Sequence, residues 1–333
     1  MTKVLISGAS GYIAQHIIKD LLAQGYAVVG TVRSAEKGNK LAKLFNSSKF
    51  SFEIASLTEE NAFDKILINN KDATVFLHTA SPLPHDANDN EKDYLIPAVE
   101  GTKSVLQAIK DHGPQIKNVV ITSSFAAVKD SKNNGSLPYT EESWNSVTWE
   151  EAAKDKSLGY AGSKKFAERA AWDFLEKEKP YFTLSIVNPT YVFGPQAFDE
   201  EVKEKLNFSA EIINSIVRLG STGKVPQFEG AFIDVRDVAK AHISAFTNEK
   251  AFGKRLLLYN GPCNVQDIVS YIKEDFPQLK VPVVKGNGMK SDSKANTTVD
   301  NKITRKILAY DFIDLEKSLH DSISQILKVY PIS

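Results

Sequence analysis

The chain has 333 residues, and its 41 Lys plus Arg balance 41 Asp plus Glu, so no net field attracts nucleic acid or an anionic membrane surface. A single cysteine, Cys263, excludes an internal disulfide and a thiolate-built zinc site. No apolar run approaches the ~18 residues of a membrane span, and MTKVLISG enters a strand pattern directly, so the expectation is a cytoplasmic chain without a secretory leader.

The first half alternates between two periodicities. Val4–Ser7, Tyr26–Val32, Phe50–Ala55, Ala73–His78 and Asn118–Thr122 read as strands, in continuous apolar runs suited to a parallel sheet buried on both faces. Between them Tyr12–Gln24, Ala35–Phe45, Glu60–Asn69 and Glu91–Lys110 read as helices; the first carries Ile13, Ile17, Ile18, Leu21 and Leu22 at helical spacing. Such repetition predicts an α/β fold, a Rossmann-type doubly wound parallel sheet. Residues 129–158 are polar and long for a connection, with a capping-box pattern at Thr148 to Glu151 that predicts a short helix.

Past the helix that begins near Tyr160, Phe182–Val187 reads as a strand and Val202–Leu219 as an amphipathic helix. Phe232–Val235 and Arg255–Tyr259 are short strands on either side of a helix at Val238–Phe246. Helices at Val265–Lys273, Asn301–Leu308 and Leu315–Val329 close the chain. The expected division is a nucleotide-binding domain over residues 1–188, rejoined by 230–260, and a smaller substrate lobe from 189–229 and 261–333.

Gly8-Ala9-Ser10-Gly11-Tyr12-Ile13-Ala14 lies between the first strand and the first helix. It is a Gly-x-x-Gly-x-x-Ala variant of the dinucleotide fingerprint: Gly8 for the turn, Gly11 for close approach of a pyrophosphate, Ala14 for helix–strand packing. The following helix offers free N–H groups to phosphate, so Ser10, Gly11, Tyr12 and Ile13 join Gly8 as candidate contacts. At the end of the second strand stand Arg33 and, one turn on, Lys37, where an NAD binder would carry a carboxylate. A guanidinium pairs with a 2′-phosphate, so the charge pattern favours NADPH/NADP+.

Ser123 and Ser124 follow the fifth strand, at the carboxyl edge where open α/β sheets bind ligands. Tyr160 and Lys164, four apart, share one helical face. A cation beside a phenol favours the phenolate and brings a group of pKa near ~10 toward the working range. With a serine hydroxyl opposite, the set would grip and polarise a carbonyl oxygen. His78 has no second ligand at metal spacing and reads as a satisfied strand-end side chain; His242 reads as packing. Asp234-Val235-Arg236-Asp237 reads as well as a bracing Arg–Asp network as it does as a site.

These elements, with LHTASP (77–82), IPAVEGTKSVL (96–106), SSFAAV, EESWN (141–145), YAGSKKFAE (160–168), NPTYVFGPQ (188–196), FIDVRDVAKAH (232–242) and SQILK (324–328), resemble an extended short-chain dehydrogenase/reductase nearly end to end. The resemblance is to the dihydroflavonol-4-reductase-like branch, and within it to the fungal NADPH-dependent methylglyoxal and 3-methylbutanal reductases used as ketoreductases. It implies Ser124, Tyr160 and Lys164 as the catalytic triad, with Tyr160 as general acid in reduction of a small-molecule carbonyl substrate. It places Arg33 and Lys37 on the 2′-phosphate, Thr79, Ala80 and Ser81 along the nicotinamide ribose, and Pro189 and Val192 beside the nicotinamide. An apolar pocket is expected from Leu83, Phe125, Tyr191, Phe193 and Phe198, in a monomer or homodimer. One departure stands out: Ser56-Leu57 occupies the place where the family holds adenine with an Asp. Sugar-nucleotide epimerases or dehydratases of the same fold, and dinucleotide-sensing proteins with a dead site, are the competing readings. Phe125-Ala126 after Ser124 lacks the acidic pair of the dehydratases, and the intact Tyr and Lys count against a dead site.

Overall fold

Among the described residues, ten strands carry the architecture: β1 (Lys3–Ser7), β2 (Ala27–Val32), β3 (Phe50–Ile54), β4 (Ala73–His78), β5 (Asn118–Thr122), β6 (Thr183–Pro189), β7 (Tyr191–Phe193), β8 (Glu229–Asp234), β9 (Arg255–Leu258) and β10 (Pro262–Asn264). The computed structural model describes residues 2–81, 88–130, 137–220, 223–225, 227–282 and 298–331. Seven strands form one sheet in the order β3-β2-β1-β4-β5-β6-β9, every neighbour parallel. Alternate residues of β1 enter opposite cores, as strand geometry demands. Val4 and Ile6 pack with Ile17, Ile18 and Leu21 of the helix Tyr12–Ala23, while Leu5 joins Phe76, Leu106 and Ile109 on the other face.

The strand order reverses between β1 and β4. Successive crossovers leave in opposite directions there, opening a crevice at the carboxyl ends. The Gly8–Ala14 turn, Arg33, Ser56–Leu57, Thr79–Ser81 and Ser123–Ser124 all follow such ends, while Tyr160 and Lys164 come from the helix Gly159–Glu178.

A smaller sheet, β10-β8-β7, pairs β8 antiparallel with β10 and parallel with β7. Its core gathers Phe193, Phe228 and Phe232 with Ile268, Leu319 and Ile323 of the C-terminal helices. Within 230–260, β8 belongs to this small sheet, β9 pairs with β6, and the intervening helix Val235–Thr247 packs against Tyr12–Ala23. At the junction Arg236 holds the fully buried Asp234 through two nitrogens at 2.8 Å and Asp321 at 2.6 Å, the expected brace.

Several elements differ from expectation. The helix near residue 60 is only Asp64–Asn69. The long one opens with a wide turn at Glu91–Leu95 before Ile96–His112; Pro97, with no N–H to give, sits at that junction. The amphipathic helix starts at Phe208, not Val202, because the Glu211 carboxylate accepts from Leu206 N at 2.7 Å and from the Asn214 amide at 2.9 Å, closing the start. The capping box at Thr148 and Glu151 is present and starts Trp149–Lys154.

Candidate active site

Gly8 turns with φ of +70°, and a Cβ there would stand 2.9 Å from the Ala80 Cα, so only glycine fits where the loops after β1 and β4 meet. Gly11 caps the helix Tyr12–Ala23 with no side-chain bond, leaving first-turn N–H groups without intrahelical acceptors. Ser10 is exposed beside them, and its carbonyl accepts from Gln15 Nε2 at 3.1 Å. Tyr12 and Ile13 are half-buried; the Tyr12 hydroxyl donates to the Gly194 carbonyl at 2.7 Å, tying this loop to the chain after β7. Arg33 and Lys37 are both exposed at the end of β2 and start of the next helix, where Ser34 is the N-cap. Neither has an ion-pair partner among the described residues.

Ser56 and Leu57 lie half-buried after β3, with the Ser56 hydroxyl 3.0 Å from that of Thr58. Thr79 donates its hydroxyl to Ser7 O at 2.6 Å and so braces the end of β1. Ser81 accepts from Lys164 Nζ at 3.1 Å. Leu83 lies outside the described residues.

Ser124 and Tyr160 meet. Ser124 caps the short turn Phe125–Ala127, its oxygen accepting from Ala126 N at 3.1 Å, and its hydroxyl lies near enough to the Tyr160 phenol to favour the phenolate. Tyr160 lies in the first turn of the helix Gly159–Glu178 and keeps 39% exposure, whereas Lys164, one turn deeper, keeps 9%. The Lys164 ammonium is 5.9 Å from the Tyr160 ring centroid. Burial pushes the phenol up, the Ser124 hydroxyl pulls it partly back, and Tyr191 opposes ionisation. That corrects the expectation of a phenol lowered by its cation. At 5.9 Å, and with a hydrogen bond donated to Ser81, the ammonium is not among the groups that shift the phenol here. Lys164 itself is brought down to about 8 by burial, against the pull of Glu168.

Pro189 ends β6, and Val192 in β7 is buried in the core with Val187, Ile233 and Val238. The pocket expectation divides. Tyr191 is half-buried, close enough to influence Tyr160, and stacks at 6.3 Å on the exposed Phe208. Phe125 is buried edge-on against Tyr139 at 5.6 Å. Phe193 is a correction: it is fully buried, stacked on Phe232 at 6.4 Å, and belongs to the small lobe's core. Phe198 is another. It lies 5.2 Å from Phe45, itself packed on Phe50 at the start of β3, so it sits at the edge of the sheet opposite Ser124.

Buried polar groups brace these loop ends. The Ser7 hydroxyl accepts from Thr79 N and Ala80 N at 3.1 and 3.2 Å, so it donates to His78 Nδ1 at 2.9 Å. His242 Nε2 lies 2.7 Å from the Thr122 hydroxyl, and His16 Nε2 lies 3.0 Å from Pro195 O. Burial lowers all three histidines from 6.5 to about 4. The unfolded chain therefore takes up protons that the folded one refuses. Their stabilisation is complete above pH 6.5 and is lost as pH falls toward 4, by roughly 2 kcal/mol per histidine at pH 5. Urea midpoints should drop steeply between pH 7 and pH 5; equal midpoints would show that these imidazoles charge without unfolding.

Residues 4–258 match the NAD dependent epimerase/dehydratase family. A Candida albicans protein provisionally named an NADPH-dependent methylglyoxal reductase is 51% identical, over 98% of both chains. The NADPH-dependent methylglyoxal reductase of Saccharomyces cerevisiae is 45% identical, again over 98% of each. The crystal structure of yeast methylglyoxal/isovaleraldehyde reductase complexed with NADPH superposes with a TM-score of 0.94 at 45% identity, covering 98% of each chain. With the dinucleotide turn, the switch-point crevice and the Ser–Tyr–Lys cluster in one place, the chain belongs to the NAD dependent epimerase/dehydratase family.

Proposed function

We propose that this protein is an NADPH-dependent carbonyl reductase, converting aldehydes, α-ketoaldehydes and ketones to alcohols in the cytosol. The observation that carries the reading is the convergence of Ser124, Tyr160 and Lys164: Tyr160 and Lys164 stand one turn apart on the helix Gly159–Glu178, the ammonium is 5.9 Å from the phenol ring, and the Ser124 hydroxyl is near the phenol. The residues present suit the cofactor. The Gly8 turn leaves no side chain over the crevice, the Gly11 cap leaves N–H groups for a pyrophosphate, and Arg33 and Lys37 offer unpaired cations for a 2′-phosphate.

NADPH, when bound, supplies the hydride. Ser124 donates a hydrogen bond to the carbonyl oxygen as negative charge builds on it. Tyr160 gives that oxygen its proton, and its raised pKa keeps the proton in place until it is needed. Lys164 holds the ribose hydroxyls and keeps positive charge beside the phenol that loses its proton. Tyr191 and Phe125 supply apolar walls, which discriminate weakly because a methylene is worth only ~1–3 kcal/mol.

Consumption of NADPH and of NADH is to be followed with methylglyoxal, 3-methylbutanal and aryl ketones. The expected result is broad turnover with NADPH, favoured over NADH by about 10²-fold in kcat/KM, from the charge-assisted contacts. No net oxidation of either nucleotide with any carbonyl would remove the proposal and leave the epimerase reading standing.

A further inference from the structure

We propose that Glu168 is a positioning residue that holds the Ser124 and Lys164 side chains in register with Tyr160 while touching neither substrate nor cofactor. The inference rests on the roles just given to those three residues. Glu168 stands one turn beyond Lys164 and two beyond Tyr160 on the helix Gly159–Glu178, so all three share a face. Its side chain is fully buried and accepts three hydrogen bonds: from the Ser123 hydroxyl at 2.5 Å, the Asn188 amide at 2.7 Å and Arg255 Nε at 2.6 Å.

Each donor lies in or just after a different strand. Ser123 follows β5, Asn188 lies in β6 just before Pro189, and Arg255 opens β9. The same Asn188 nitrogen lies 3.2 Å from the Ser124 carbonyl, so the carboxylate reaches the Ser124 backbone through one side chain. Arg255 is fixed in turn: Nη1 donates to Glu141 O at 2.7 Å and Ser143 O at 2.6 Å, and the guanidinium lies 3.9 Å from the Trp144 ring centre. The helix carrying Tyr160 is thereby bolted to three strand ends at one carboxylate.

The chemistry requires an ionised acid. An ionised carboxylate accepts from all three donors and donates to none. A glutamine of the same shape turns an NH2 group against at least one of them, and a buried donor left unmet costs about 1–3 kcal/mol. The acid also acts on Lys164, whose charged or titratable neighbours are Glu168 and Tyr160 on its own helix and His78 from β4. His78 is held neutral by burial, so Glu168 is the negative partner within that set.

Two variants test this in the full-length protein with NADPH and methylglyoxal. Glu168→Gln removes the charge and mismatches the donors; Asn188→Ala leaves the Glu168–Arg255 pair intact and cuts the link to Ser124. The expected result is a fall in kcat of about 10–100-fold for Glu168→Gln and about 10-fold for Asn188→Ala, as small misplacements of reacting groups produce. NADPH affinity, read by fluorescence titration, should stay within about twofold in both, since the phosphate contacts lie elsewhere. In Glu168→Gln alone, the alkaline limb of kcat should move to lower pH, because Lys164 loses the neighbouring negative charge that favours its ammonium form. Parental kcat in Asn188→Ala overturns the proposal, because a purely structural ion pair predicts that result; it decides the matter even if Glu168→Gln fails to fold. Parental kcat with an unmoved limb in Glu168→Gln overturns it equally. A parent protein without NADPH-dependent carbonyl turnover defeats the underlying reading, and this inference with it.

Discussion

Tyr160→Phe should lower kcat for carbonyl reduction by about 10³-fold, the scale of a lost general acid, while NADPH binds within about twofold of the parent. The phenol is a proton donor placed with Ser124 at the crevice, and the ring itself is kept in the variant. Tyr160 is 39% exposed, so removing the oxygen opens no sealed cavity and leaves the fold alone. Ser124→Ala should cost less, because a donor that steadies the oxyanion is lost but the proton remains. Single-turnover absorbance at saturating NADPH reads the effect directly. A phenylalanine variant with parental turnover would move the proton to another donor and unseat the mechanism.

The second large effect is on nucleotide choice. Arg33→Asp should shift the NADPH to NADH ratio of kcat/KM by about 10³-fold toward NADH. A charge-assisted pair with the 2′-phosphate contributes ~1.5–3 kcal/mol, and an acid in its place both repels that phosphate and accepts from a free ribose hydroxyl. Arg33 is exposed and has no ion-pair partner among the described residues, so thermal stability should not change. Adding Lys37→Ala should deepen the loss for NADPH only. If the ratio stays put in both variants, selection lies elsewhere on the nucleotide.

The readable parts of the sequence were those whose chemistry is local. Tyr160 and Lys164 are four apart on one helix, and Gly8 to Ala14 is a single turn, so spacing alone carries their geometry. The seven-strand sheet was legible because its strands are unbroken apolar runs. Two strands escaped, Tyr191–Phe193 and Pro262–Asn264, since three residues are too few to show any alternation. The aromatic pocket was the weakest part. Which face of a loop an aromatic ring takes depends on partners far along the chain, as Phe193 on Phe232 and Phe198 on Phe45 show. The buried braces Ser7, Glu168 and Arg255 were missed for a related reason: each bonds across 70 or more residues or serves groups remote in sequence. Glu168 alone left a trace, as it continues the four-residue step from Tyr160 and Lys164.

The seventh strand of the large sheet carries a consequence for synthesis. β6 emerges from the ribosome with one flank bare, and β9, its mate on that side, ends only at residue 258. During that interval the nascent protein displays a raw parallel edge able to capture a foreign strand. Successful maturation thus hinges on a partner encoded late, and truncation anywhere before it would strand the nucleotide half unfinished.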